Sequence, residues 1–414
     1  MINYLYDCYN ILNKVYSEKT YIKQAILDTV IEEKNRSLTI KTCYGVLDKD
    51  IELSYYISCL TEKNPKLAIR TILKTSMYAI KYLGKKGYAV TENAVSLTKK
   101  LGKSGASGFV NAFLRKFINQ DIELPKDTIK NLSIKYSYPE FALKRLIKIY
   151  GEQTTKEIIS TENAYTTLVF YQVNGQEYLK NQGVDYSLTP FENVFRVKNF
   201  VRNSDFDKGD YTYQAIGSVA ICDVVEGGEK LLDCCSAPGG KSVRLSQKFN
   251  SVTSFDIHPH RVELINAYKT RMKRDNITAI LQDAKVFDER FVEEFDAVLV
   301  DAPCSGLGVV NDNPDIKLNR EENSIKELIK EQGDILKTVK NYVKKGGYLY
   351  YSTCSVLDEE NVLQVAKFLQ ENNDFVGEEI SSPLDNVKKE VGLQFLPNIS
   401  MGLGFYVAKL KRIK

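Results

Sequence analysis

The sequence reads as a multidomain chain: an all-α first part, a small α+β connector, then a larger α/β domain. Three observations carry that reading. Apolar residues in 1–122 recur at helical spacing, and short runs rich in β-branched and aromatic residues follow proline-marked connections in 123–210. From 211 to 414 strand-like and helix-like patterns alternate, which builds a mostly parallel sheet covered on both faces. A chain of 414 residues can hold three such cores.

Composition removes several classes of function. The 43% hydrophobic and 27% charged content is that of an ordinary globular protein, not a disordered or fibrous one. No apolar stretch is long enough to span a bilayer, so no membrane role is expected. The first residues lack a basic segment followed by an apolar run, and no secretion signal is expected. Eight cysteines without C-x-x-C spacing, with only His258 and His260 as imidazoles, argue against a metal site. Scattered cysteines in a chain of this kind imply a reducing, cytoplasmic setting. Nothing calls for an obligate protein partner.

The charge is uneven. Residues 1–120 hold 19 Lys+Arg against 10 Asp+Glu, whereas the remainder holds 38 against 43. Between Lys63 and Lys116 there are twelve basic residues and Glu92 alone among the acids. Such one-sided charge across a domain favours a polyanionic partner over a merely solvated face.

In chain order, Tyr9, Leu12, Val15 and Tyr16 repeat at helical spacing, as do Ile22, Ile26, Val30 and Ile31. A further amphipathic segment covers 69–80, and a glycine-rich turn at 102–108 precedes another helix. Each apolar stripe is expected to pack in a helical bundle. The connector contains helical residues near 141–150 and strands near 168–173 and 194–197. In the α/β domain, strands are expected at 230–234, 252–256, 278–282, 295–301, 348–352 and 405–410. Helices are expected near 241–248, 260–274 and 324–343.

The chemistry concentrates at the ends of those strands. Leu231, Leu232 and Asp233 lead into Cys235, Ser236, Ala237, Pro238, Gly239, Gly240 and Lys241, a strand ending in a tight turn that opens a helix. This is where open α/β sheets bind ligands, and glycine lets backbone approach a ligand closely. The turn lacks the G-x-G-x-x-G pattern, and Cys235 stands where a phosphate-cradling loop needs its first glycine. The same test rejects Gly102-Lys103-Ser104, preceded by Leu97.

Asp256 closes the second strand and Asp283 the third, suited respectively to ribose hydroxyls and the edge of a base. Either acid taken singly could instead cap a helix. Asp301-Ala302-Pro303-Cys304-Ser305-Gly306 follows the fourth strand, and Tyr351-Ser352-Thr353-Cys354-Ser355 the fifth. Strands one, four and five are neighbours in a doubly wound sheet, so both cysteines should line one crevice. Cys8, Cys43, Cys59, Cys222 and Cys234 read instead as small buried hydrophobes. Of the pair, Cys354 is the better nucleophile, because Ser355-Val356-Leu357-Asp358 reads as a capped helix start and a helix N-terminus stabilises thiolate. Asp358, Glu359 and Glu360 oppose that effect.

Two resemblances follow from these residues. Tyr44-Gly45-Val46-Leu47, Met77-Tyr78 and Gly108-Phe109-Val110-Asn111-Ala112-Phe113-Leu114-Arg115 resemble the NusB-like helical RNA-binding domain over most of 1–120. The glycine turn, the Pro303-Cys304 and Thr353-Cys354 loops and Asn313-Pro314-Asp315 resemble the RsmB/Sun-type ribosomal RNA cytosine-C5 methyltransferases. That resemblance implies a Rossmann-like class I methyltransferase domain over 211–414, with S-adenosylmethionine (S-adenosyl-L-methionine) as cofactor and RNA, small-subunit ribosomal RNA, as partner. It implies cofactor contacts from residues 235–241 and from Asp256, Asp283 and Asp301. It further implies Cys354 as the nucleophile adding to C6, Asp301 against the cytosine edge, and Cys304 in release of the covalent product. Alternatives left open are another RNA such as tRNA, or a non-catalytic RNA-binding assembly factor. Two departures reduce positive charge: Asn311-Asp312 and Gln172 stand where the family carries arginine.

Overall fold

A computed structural model describes residues 2–414, with side chains from Tyr4 onward. The chain forms two compact units, one of residues 1–160 with 310–321, the other of 161–309 with 322–414.

The first unit is helical. Its helices include Ile2–Glu18, Arg36–Asp48, Leu67–Lys81, Gly87–Lys100 and Ser107–Asn119. The apolar stripes meet in one core containing Leu12, Val15, Ile22, Val46, Leu73, Met77, Val110 and Leu114. The Tyr44-Gly45 motif has a steric cause: a Cβ on Gly45 would lie 2.0 Å from the Tyr78 ring. Glycine there lets the two helices approach. Val30 departs from expectation and is exposed, because the short helix Ile22–Leu27 ends before reaching it.

Part of the basic excess is internal to this unit. Lys74 pairs with buried Asp50 at 2.6 Å, and Lys81 with Glu52 at 2.8 Å. Residues 310–321 also join it. Asp315 accepts from the Ile22 N–H at 3.2 Å, Lys23 donates to Asn313 at 2.8 Å, and buried Lys317 pairs with Asp48 at 2.7 Å.

The second unit begins with a four-stranded antiparallel sheet of β1 (Thr166–Phe170), β2 (Tyr186–Leu188), β3 (Val194–Val197) and β4 (Tyr211–Tyr213) in the order β2-β3-β1-β4. Then come β5 (Gly228–Asp233), β6 (Phe249–Asp256), β7 (Ile277–Leu281), β8 (Phe295–Asp301), β9 (Val343–Thr353), β10 (Phe375–Glu378), β11 (Val387–Lys388), β12 (Leu393–Phe395) and β13 (Phe405–Arg412). They form one sheet in the order β11-β12-β13-β9-β8-β5-β6-β7, with β10 on β13. β5 through β9 pair in parallel, and the C-terminal strands add antiparallel to β9.

Two apolar layers cover this sheet. Leu231, Leu299, Tyr350 and Val407 enter one core, and their neighbours Leu232, Val300, Tyr351 and Tyr406 enter the other. Burial on both faces explains why successive residues such as Leu231 and Leu232, or Leu299 and Val300, are both apolar. Cys8, Cys43, Cys222 and Cys234 are buried as expected, but Cys59 is exposed near the end of the helix Asp50–Leu60. No helix among the described residues is long and apolar enough to cross a membrane.

Candidate active site

The glycine turn is pinned at both ends. β5 stops at Asp233, and the helix Gly240–Leu245 follows Gly239, whose φ of 103° is left-handed and suits a residue without Cβ. The Ser236 hydroxyl donates to the Asp233 and Phe255 carbonyls at 2.8 and 3.0 Å, tying the turn to β6. Beneath it, buried Asp233 accepts from Ser242 Oγ at 2.6 Å, and Ser254 Oγ donates to Ser242 Oγ at 2.9 Å. Burial pushes the Asp233 carboxyl up to about 7. Cys235 is half-buried, and its thiol is pushed up by burial and then by the charge of Asp233. Sequence reasoning used Asp233 only as a strand end. It also missed Gln214, whose Nε2 donates to the Gly240 carbonyl at 3.3 Å while its Oε1 is buried without a hydrogen bond.

The three acids stand at the carboxyl ends of parallel strands. Asp256 ends β6, is 4% exposed, and accepts from the His258 N–H at 3.1 Å. Asp283 lies two residues beyond β7 and accepts from the Lys285 N–H at 2.9 Å. Both bonds are local turns two residues long, so neither acid is a helix cap. Asp301 ends β8, held at Oδ2 by Lys241 at 2.6 Å and at Oδ1 by the Ser352 hydroxyl at 2.9 Å. Burial works against the Lys241 charge, but Asp301 beside it raises the ammonium above its ordinary value.

β8 and β9 end in register, Asp301 opposite Ser352, so their following loops emerge side by side. Cys304 Sγ and Cys354 Sγ are 3.1 Å apart, far beyond the ~2.05 Å of a disulfide bond. The Cys354 N–H also donates to Cys304 Sγ at 3.3 Å. Cys304 is buried and Cys354 half-buried. The hydrogen bond with Cys354 pushes the Cys304 thiol well up, reinforced by burial and by the negative charge of Glu360. This favours a protonated Cys304.

The expected helix start after Cys354 is absent. Residues 355–361 form turns, and the next helix, Val362–Glu371, begins eight residues later. Ser355 turns its hydroxyl inward to the Leu357 N–H and to Glu360 instead of capping a helix. No helix therefore starts directly after Cys354. Glu360, one of the three acids that follow Cys354 in the sequence, is fully buried.

The turn fits S-adenosylmethionine. Beside it the Gln214 Oε1 is buried without a hydrogen bond, an acceptor left for a ligand, and Asp256 and Asp301 stand at the neighbouring strand ends. The parallel sheet with a glycine turn at the end of β5 is a Rossmann-like arrangement.

Comparison with known proteins narrows the class. A family model described as 16S rRNA methyltransferase RsmB/F matches residues 221–411, and the NusB family model matches 4–119. Ribosomal RNA small subunit methyltransferase B of Photorhabdus laumondii is 30% identical over 409 residues, 92% of each chain. The protein of that name from Pasteurella multocida is 30% identical over 430 residues, 97% of this chain and 94% of that one. The chain belongs to the ribosomal RNA small subunit methyltransferase B family. In fold it is similar to the crystal structure of PH0851, at TM-score 0.86 and 21% identity over 100% of this chain and 99% of that one. It is also similar to NSun6 from Pyrococcus horikoshii solved with SFG, at TM-score 0.60 and 16% identity over 67% and 99%.

Proposed function

We propose that the chain methylates C5 of a cytosine in small-subunit ribosomal RNA, with Cys354 forming a transient bond to C6 of the base. The observation that carries this reading is the contact between Cys304 and Cys354 at the ends of adjacent strands beside the glycine turn. Methylating a nitrogen or a hydroxyl calls for no thiol. Carbon C5 of cytosine is too electron-poor to attack a methyl donor unaided, and covalent addition divides that hard step into easier ones.

Addition of the Cys354 sulfur makes the S–C6 bond and moves the C5–C6 electron pair onto C5, the atom to be methylated. S-adenosylmethionine supplies an electrophilic methyl group on its sulfonium sulfur. Asp301, oriented by Lys241 and Ser352, hydrogen-bonds the cytosine edge and stabilises charge that develops on addition. Release passes the C5 proton to a base, re-forms the C5–C6 double bond from the C–H electron pair and returns the S–C6 pair to the Cys354 sulfur, and Cys304 is assigned to that stage. The cytosine must leave its stack to reach both sulfurs.

Residues 235–241 with Asp256 and Asp283 are assigned to the cofactor. RNA affinity is assigned to residues 1–122, the proposed first domain, followed by a connector over 123–210 and the methyltransferase domain over 211–414. Because Lys74 and Lys81 are held by acids of their own unit, the RNA-facing charge belongs to exposed residues such as Lys63, Lys66, Lys85, Lys86, Lys99 and Lys103. Bisulfite sequencing of ribosomal RNA from cells with and without the gene tests the target. One small-subunit cytosine should lose its protection when the gene is removed, and an unchanged pattern would refute the assignment.

A further inference from the structure

The residues that follow the two cysteines share one partner. The Glu360 carboxylate, fully buried, accepts at Oε1 from the Ser305 N–H at 2.7 Å and at Oε2 from the Ser305 hydroxyl at 2.6 Å. The Ser355 hydroxyl donates to Oε2 as well, and the two serine oxygens lie 3.1 Å apart. Ser305 follows Cys304 and Ser355 follows Cys354, so one side chain grips both catalytic loops at equivalent positions.

Glu360 is itself anchored from three sides. Gln332 Nε2 donates to Oε1 at 3.2 Å and to the Pro303 carbonyl at 3.0 Å, linking Glu360 to the residue before Cys304. The Tyr351 hydroxyl donates to the Glu360 carbonyl at 2.7 Å. The adjacent Asn361 donates to the Ser355 carbonyl at 3.0 Å and accepts from the Thr353 hydroxyl. Beyond Asp301 and Ser352 the strand pairing stops, and the backbone tie that follows between the loops is the Gly308 N–H donating to the Cys354 carbonyl at 3.0 Å, four residues past Cys304. A buried carboxylate receiving four donors supplies a further constraint, because each donor would otherwise be buried unpaired.

We propose that Glu360 is the positioning residue that sets the separation of Cys304 and Cys354 by binding the residue after each. Its negative charge has a second effect, adding to the hydrogen bond with Cys354 and to burial in pushing the Cys304 thiol up. The catalytic part of this inference rests on the thiol mechanism above; the geometric part does not.

The test therefore reads the cysteines directly. Full-length protein and the near-isosteric Glu360→Gln variant are treated with iodoacetamide across pH 6–10, and labelling at each cysteine is followed by mass spectrometry. In the unaltered protein Cys354 should label at least tenfold faster than Cys304 near pH 8. Glu360→Gln should narrow that ratio at least threefold, and should lower kcat about tenfold or more while KM for RNA stays within twofold. Should Glu360→Gln fail to fold, Ser355→Ala removes a single tether and should narrow the ratio in the same direction.

A labelling ratio unchanged in a folded Glu360→Gln protein, or in Ser355→Ala where Glu360→Gln does not fold, would overturn the inference. If methyl transfer proves independent of Cys354, the kcat result loses its meaning. The labelling ratio still decides the role of Glu360, so the two failures are distinguishable.

Discussion

Replacing Asp233 with asparagine isolates the energetic consequence of a carboxyl buried under the glycine turn. Asp233 is fully buried; Oδ2 receives Ser242, while Oδ1 makes no hydrogen bond of ordinary geometry. Burial raises the carboxyl from 3.8 to about 7. Because the folded value lies above the unfolded one, the folded chain holds an extra proton between those two pH values. Stability from this group is therefore full below about pH 4 and is lost as pH rises through 7. At ~1.4 kcal/mol per pH unit, the interval from pH 5 to 8 should cost about 2–3 kcal/mol. Asparagine still accepts from Ser242 and does not titrate, so Asp233→Asn should lack this part of the pH dependence. Urea unfolding of both proteins at pH 5 and pH 8 measures it. The variant should gain about 2–3 kcal/mol relative to the unaltered protein on going to pH 8. A stability difference that is the same at both pH values would refute the reasoning.

The remaining predictions concern ligands. Asp256→Ala should weaken S-adenosylmethionine binding at least tenfold, about 1.4 kcal/mol, without unfolding the protein; calorimetry checks this, and unchanged affinity removes Asp256 from the site. Changing Lys85, Lys86, Lys99 and Lys103 together to glutamine should flatten the salt dependence of RNA binding by about 0.7–0.9 in log–log slope for each phosphate that is no longer neutralised. Fluorescence anisotropy over a salt series reads that slope, and parallel lines would place the RNA-binding surface elsewhere.

The features legible in the sequence were those enforced by local chemistry. The glycine turn, the acid ending β6 and the Pro-Cys and Thr-Cys loops announced themselves because each follows a stretch of strand-forming residues that stops at a polar turn. The doubly wound order of strands then brought Cys304 beside Cys354. What stayed hidden depends on tertiary context. Glu360 reads as one charge in an acidic run, and only the folded loops reveal four donors converging on it. Ser355 has the composition of a cap but bonds inward, so the expected helix start is missing. The short strands β10 to β12 carry too few residues for a period to register. The pairing of Lys317 with Asp48 joins residues 269 positions apart, beyond the reach of any local pattern.

The central claim is that Cys354 makes the covalent bond and Cys304 serves its release. Denaturing electrophoresis of protein incubated with S-adenosylmethionine and small-subunit ribosomal RNA tests it most directly, using Cys304→Ala and Cys354→Ala. The account predicts a protein–RNA adduct accumulating with Cys304→Ala and none with Cys354→Ala, which should also have lost methyl transfer. Trapping by Cys354→Ala alone would reverse the roles, and activity retained by both variants without any adduct would contradict the thiol mechanism.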